Sequence, residues 1–384
     1  MRLRDIELRI VRMPLRSPFR TSFGVETEKV ALLVRVRGDL RGPGGDRVET
    51  GGWGECVAME EPLYSAEYVA GAVQVTRDFL APRLFAAGDA VTAERVGPLL
   101  AGVVGHRMAK AAVEMAVLDA ELRARGVPLA EHLGAVRDRV PSGVSVGIQP
   151  SVPELLDVVA GYLDEGYVRI KLKIAPGWVL EPVRAVRERW GDDLLLQVDA
   201  NAAFTLADAP LLQRLDELGL LLIEQPLAED DLVQHAELAR MLRTPVCLDE
   251  SVVSARAAAD AIRLGAARVI NVKPGRVGGY LEARRVHDVA VANGVAVWCG
   301  GMLETGLGRA ANAALAALPG FTLPGDVSAS SRFYETDLTR PFVLEDGHVA
   351  VPTGPGLGVE PVPELLAEWT SWRQVLSPDG PVGG

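Results

Sequence analysis

Apolar and polar positions change rhythm twice along this chain. Up to about residue 130 the pattern is mixed. Strand-like stretches come first, at Ile6 to Met13, Val30 to Val36 and Trp53 to Val57. Between the second and third, the glycine-rich segment Gly38 to Asp46 reads as a long hairpin loop. Helical periodicity follows. It is clearest from His106 to Arg125, where Met108, Ala112, Met115, Leu118 and Leu122 recur at spacings of three and four.

From about Ser142, short β-rich runs alternate with amphipathic helical stretches. The runs are Gly143–Gln149, Val168–Ile174, Leu194–Ala200, Leu220–Pro226, Pro245–Ser251, Arg268–Pro274, Val295–Gly301 and Phe321–Val327. Alternating β and α elements imply a parallel sheet, and eight such units imply closure into a barrel. An open doubly wound sheet would carry a glycine-rich turn after its first strand, and none follows here. After about Ser328 the pattern breaks. A strand pair is expected at Phe342–Leu344 and His348–Val351, then a Gly/Pro-rich stretch from Pro352 to Gly358. This tail is expected to return to the N-terminal part, with Ser377 to Gly384 loose.

Composition narrows the function classes. At 384 residues, 48% hydrophobic and 24% charged, the chain suits a folded globular protein of two or three domains. Its 40 basic and 51 acidic residues give a formal charge of −11, which disfavours phosphate backbones and so nucleic acid. No apolar run approaches the roughly 20 residues that span a bilayer, and the first residues lack a signal-peptide core. Cys56, Cys247 and Cys299 are scattered, without zinc-type spacing, and suit a reducing cytoplasm.

The chemistry-bearing signal lies at the run ends. Lys171 and Lys173, Asp199 with Asn201, Glu224, Asp249 and Lys273 each close a β-run. From Lys173 onward the separations are 26, 25, 25 and 24 residues. A period of one βα unit puts these groups at one height, the C-terminal rim where barrel active sites form. Taken singly, each has a plainer explanation. An acid after a strand is commonly a helix cap, as Glu250 or Ser251 could be, and a lone strand lysine commonly snorkels. Five consecutive runs ending this way, in step, are not explained by that.

Three carboxylates without a neighbouring histidine or cysteine favour a hard divalent cation, Mg²⁺ or Mn²⁺, over zinc. His106, His132, His235, His287 and His348 lie away from the run ends and suit packing or solvated roles. Lys171 and Lys173 point to one side of their strand. Two close ammonium groups should lower each other's pKa toward that of a general base. Lys273 lies four strands away, on the opposite wall. Proton abstraction next to a carboxylate fits such a site, because the enediolate formed needs concentrated positive charge.

The chain resembles the enolase superfamily, in its muconate-lactonising subgroup, and most specifically the N-acylamino acid racemase / o-succinylbenzoate synthase family. The resemblance spans nearly the whole chain. It rests on Pro18 to Gly24, Trp53-Gly54-Glu55-Cys56, Gly105 to Lys110, Lys171-Leu172-Lys173, Lys273-Pro274-Gly275-Arg276-Val277-Gly278-Gly279 and Trp298 to Gly306. It implies an α/β fold: a (β/α)7β modified TIM barrel over 142–328, an α+β capping domain over 1–130, and a segment 329–384 that completes the cap. It implies Asp199, Glu224 and Asp249 as Mg²⁺ ligands, Lys173 and Lys273 as the acid/base pair, Lys171 as a supporting cation and Asn201 near the substrate carboxylate. Phe19 and Met59 would sit in two capping loops. Ser145, Gly301, Met302, Leu303 and Phe333 would line the acyl or side-chain pocket.

The implied activity is racemisation of N-acylamino acids, N-succinyl among them, or dehydration of a succinyl-cyclohexene carboxylate to o-succinylbenzoate in menaquinone biosynthesis. Family members are commonly octamers or dimers, so a homo-oligomer is expected. Dipeptide epimerases of the subgroup carry a pair of acids near the last strand, where this chain has only Asp326. Muconate cycloisomerases differ around Lys273 to Gly279. A catalytically idle scaffold would have lost a carboxylate or lysine, and a Schiff-base aldolase would need no acid triad.

Overall fold

A computed structural model describes residues 1–20, 24–41 and 46–382 of the chain. Three long antiparallel strands open it: β1 (Arg2–Arg20), β2 (Val25–Arg41) and β3 (Arg47–Cys56). They run well beyond the apolar stretches that announce them, because their ends alternate charged with apolar residues. The β2–β3 ladder continues to the Arg41/Arg47 pair, and Gly38 faces Thr50. Of the expected Gly38–Asp46 loop, Gly38–Arg41 is therefore strand; residues 42–45 lie outside the described residues.

The helix Arg107–Arg125 packs its apolar stripe on β3. The approach is close enough that a Cβ at Gly54 would collide with the Ala112 carbonyl. The helix begins at His106, where the Glu67 carboxylate accepts from the Met108 and Ala109 amides at 2.9 and 3.2 Å. It ends at Gly126, in the left-handed conformation that closes many helices.

β4 (Arg139–Pro141) leads into seven parallel strands: β5 (Gly143–Val146), β6 (Arg169–Lys173), β7 (Leu195–Asp199), β8 (Ile223–Glu224), β9 (Val246–Leu248), β10 (Val269–Val272) and β11 (Ala296–Cys299). They pair in sequence order from β5 to β11. The eighth expected run does not form a continuous strand. Phe321 bridges Val297 of β11 and Gly325 bridges Ser142 beside β5. The Gly143 amide donates to the Gly325 carbonyl at 2.8 Å, and the Asp326 amide to that of Cys299 at 2.8 Å. These contacts close the seam between the first and last strands.

The tail divides. β12 (Leu344–Glu345) and β13 (His348–Ala350) form the expected pair, and β13 adds to β4 beneath the barrel. β14 (Thr370–Ser377) returns to β1, with Ile6 opposite Leu376. Gly380–Val382, expected to be loose, forms β15 against β14.

Buried acids lock the first sheet and its helix to the barrel. Glu55 accepts from the Thr305 and Gly308 amides, both at 3.0 Å, at the start of the helix Gly306–Ala316. Glu114 accepts from the Tyr280 and Leu281 amides, at 3.0 and 2.9 Å, at the start of the helix Tyr280–Ala292. Each satisfies amides that a helix leaves open at its N-terminus. Gly279, at φ 142°, precedes the second of these helices, and a side chain there would strike the Glu114 carboxyl.

Candidate functional site

The charged strand ends converge. Lys171 Nζ donates to Glu224 Oε2 at 3.0 Å, and it lies 3.4 Å from Asp199 Oδ2 and 2.7 Å from Asp326 Oδ2. Lys173 Nζ reaches the same Asp199 Oδ2 at 2.6 Å and Asn201 Oδ1 at 2.6 Å. Across the barrel, Lys273 Nζ donates to Asp249 Oδ2 at 2.8 Å and to the Tyr64 hydroxyl at 2.9 Å. Arg276 holds the other Asp249 oxygen. β6 and β10 stand four strands apart, so Lys173 and Lys273 enter from opposite walls.

All three lysines line one cavity. Met59, Ser145, Asn201, Gly301, Met302, Leu303 and Phe333 line it too. The three acids lie beneath, fully or almost fully buried. The Phe19 side chain lies outside the described residues.

Electrostatics at the floor follow from crowding. Burial, then Asp199 and Asp249, push Glu224 up to about 8, although Lys171 pulls the other way. Burial and the neighbouring Glu250 push Asp249 up to about 7 against the pull of Lys273. Asp199 moves oppositely: burial would raise it, but Lys173 and Lys171 bring it down to about 2. The expectation that paired lysines depress each other fails at Lys171. Burial pulls it down, yet Asp326, Glu224 and Asp199 together hold it above the usual lysine value. Its neighbours are acids before they are bases, a fact the strand sequence alone does not carry.

Among the described residues, no three His, Cys, Asp or Glu side chains are drawn together as a ready metal cage. Each acid instead holds an ammonium or a guanidinium. The donor chemistry nonetheless fits a hard divalent cation. The acids are all-oxygen donors, and Asp199 and Glu224 are register partners on adjacent strands. They raise one another's affinity for positive charge. Glu250 Oε2 and Asn271 Oδ1 are buried acceptors that find no hydrogen-bond partner among the described residues.

Several cavity and floor residues have site contacts that the strand-end pattern does not announce. Glu250 does not cap the next helix; Ser254 does, accepting from the Ala257 amide at 3.1 Å. Glu250 instead accepts from Asn201 Nδ2 at 2.9 Å. Asp326 ties the seam segment to the second strand through Arg169 and Lys171. Tyr64 and Arg332 lie far from any strand end, so the βα period could not find them. Arg276 was visible only inside its motif. Two of the histidines take packing roles: His235 accepts from the Leu227 amide, and His287 stacks on Phe321.

Comparison with known proteins gives a consistent result. Residues 4–134 match the family "Mandelate racemase / muconate lactonizing enzyme, N-terminal domain", and residues 154–365 match "Enolase C-terminal domain-like". The chain is 67% identical to an N-succinylamino acid racemase of Amycolatopsis, over 97% of this chain and 98% of that one. It is 48% identical to an o-succinylbenzoate synthase of Geobacillus kaustophilus, over 96% of each. A crystal structure of an enolase superfamily member from Listeria innocua superimposes with a TM-score of 0.91 at 38% identity, covering 98% of this chain and 99% of that one.

Proposed function

Since the chain belongs to the enolase superfamily, and within it to the N-acylamino acid racemase / o-succinylbenzoate synthase family, we propose that it abstracts the α-proton of a carboxylate substrate and racemises N-succinylamino acids. The observation that carries this reading is the approach of Lys173 and Lys273 to one cavity from opposite walls, above three buried carboxylates.

Asp199, Glu224 and Asp249 would hold a divalent cation, Mg²⁺ first. When bound, it supplies the positive charge that makes a carbon acid beside a carboxylate accessible. Lys173 Nζ, as the amine, takes the α-proton from one face, and Lys273 Nζ, as the ammonium, returns one to the other. The roles reverse for the opposite enantiomer. Lys171 adds fixed positive charge beside the substrate carboxylate, and Asn201 orients Lys173. Met59, Met302, Leu303 and Phe333 exclude water from the reacting carbon.

Dehydration to o-succinylbenzoate begins with the same proton abstraction, and the relatives named for that reaction support it as a second activity of one site. The test is deuterium uptake at the α-carbon of N-succinylamino acids in D₂O with Mg²⁺, run beside a dehydration assay on the succinyl-cyclohexene carboxylate. Uptake with inversion is expected. Absence of uptake from either enantiomer overturns the racemase reading.

A further inference from the structure

Asn201 is tied to the rim at three points. It lies two residues past the end of β7, with its backbone in the left-handed region at φ 42°. Its backbone amide donates to Asp199 Oδ1 at 3.0 Å. Its side-chain oxygen accepts from Lys173 Nζ at 2.6 Å, and its side-chain nitrogen donates to Glu250 Oε1 at 2.9 Å. Glu250 lies two residues past the end of β9, so this last contact reaches across β8. The Glu250 side chain is buried, and its Oε2 finds no hydrogen-bond partner among the described residues.

The backbone contact fixes where Asn201 sits but not which way its carboxamide faces. Half a turn about the side chain exchanges an acceptor for two donors at nearly the same place. While Lys173 is an ammonium, it bonds only the oxygen end and sets the orientation itself. As the amine that takes the α-proton it carries a lone pair, and a turned carboxamide would donate into that pair. The base would then be engaged before the substrate reached it. Lys173 loses its control of the carboxamide in the one state where the orientation matters. Glu250 keeps it, because an acceptor at Oε1 meets only the nitrogen end of Asn201, whether or not Oε2 carries a proton.

We propose that Glu250 is a positioning residue for one half of the racemisation: it holds the Asn201 carboxamide with its oxygen toward Lys173, so that the Lys173 lone pair points at the substrate. This rests on the two-base reading given above. In the step itself the Nζ lone pair bonds the α-proton, the C–H electron pair stays with the substrate, and Lys173 becomes the ammonium. Lys273 works from the opposite wall with Asp249 and Tyr64 as its partners. In its half of the reaction Lys173 starts as the ammonium and needs no help to hold Asn201.

The experiment follows α-deuterium uptake from each enantiomer of an N-succinylamino acid separately, at saturating substrate and Mg²⁺. Glu250 also acts on Lys273 through its charge, so the first variant keeps that charge. Glu250→Asp shortens the side chain by one methylene and withdraws the acceptor from Asn201. It should slow uptake by about 10-fold, the scale of one charge-assisted hydrogen bond, from the enantiomer that Lys173→Ala no longer exchanges. Uptake from the other enantiomer should stay close to wild type. Glu250→Gln keeps the reach but offers Asn201 either end, and should show a smaller loss on the same side. Equal losses from both enantiomers overturn the assignment, since they mark a role in the fold or the metal site. Wild-type uptake from both in folded Glu250→Asp overturns it as well. If neither variant folds, neutron diffraction from crystals of the wild-type protein decides. The Asn201 side-chain deuterons are expected toward Glu250, and deuterons toward Lys173 overturn the assignment. Wild-type protein that exchanges neither enantiomer overturns the racemase reading itself, and the assignment with it.

Discussion

Thr305 is bound twice by Glu55: its amide donates to Oε1 at 3.0 Å and its hydroxyl to Oε2 at 2.7 Å. One residue belongs to β3 of the first sheet, the other starts a barrel helix. Just before Thr305 in the chain comes Gly301-Met302-Leu303, which lines the cavity. Glu55→Ala would leave the two Thr305 donors and the Gly308 amide buried without a partner. The expected cost is about 3 kcal/mol, read as a lower midpoint of thermal unfolding. KM should rise with it, because the loop that forms the cavity wall loses its anchor.

Lys173→Ala and Lys273→Ala should each reduce racemisation by about 10²-fold or more, the usual scale for a lost general acid or base. The two variants should differ in isotope exchange. Each should retain α-deuterium uptake from one enantiomer and lose it from the other, as followed by proton NMR. Calorimetric titration with Mg²⁺ should show that Lys273→Ala still binds the ion. Unimpaired racemisation by either variant would refute the two-base reading.

Chelation with EDTA should abolish α-proton exchange, and added Mg²⁺ or Mn²⁺ should restore it. Glu224→Gln should weaken Mn²⁺ binding, measured by electron paramagnetic resonance of the free ion, by at least about tenfold. Unchanged affinity would remove Glu224 from the ligand set.

Glu114 gives a pH dependence with a definite sign. Burial pushes its carboxyl up from 4.5 to about 7, against the two backbone amides that favour the anion. Between those values the folded protein holds a proton that the unfolded chain has released. The stability this contributes is complete below pH 4.5 and is lost as pH rises through about 7. The difference amounts to about 3 kcal/mol. The thermal midpoint of wild type, measured relative to Glu114→Gln, should therefore fall between pH 5 and pH 8. A constant difference across that range would show that Glu114 does not titrate there.

The sequence carried the barrel and its charged rim for one reason: a βα unit has a nearly fixed length, so Lys173, Asp199, Glu224, Asp249 and Lys273 fall in step. It carried the eighth run less well. Phe321–Val327 is apolar enough for a strand, but its backbone is shared between β11 and the start of β5, leaving two single bridges. The length of β1 to β3 was hidden because only their buried middles are apolar. The lysine environment was hidden too: Lys171 is held up by Asp326, which lies 155 residues further along the chain. Arg332 has no periodic signal at all, since it reaches the cavity from beyond the barrel repeat.

β14 beside β1 has a consequence for how the protein is made. The pairing joins a strand synthesised before the barrel to one synthesised after it, with Ile6 opposite Leu376. On the ribosome, β1 therefore emerges with one edge bare and stays so while the barrel segments are translated and begin to assemble. An unpaired strand edge is a template for association between chains. The charged residues along β1, Arg2, Arg4, Asp5, Glu7, Arg9 and Arg12, put charge on that edge, which discourages edge-to-edge pairing until the β14–β15 hairpin covers it.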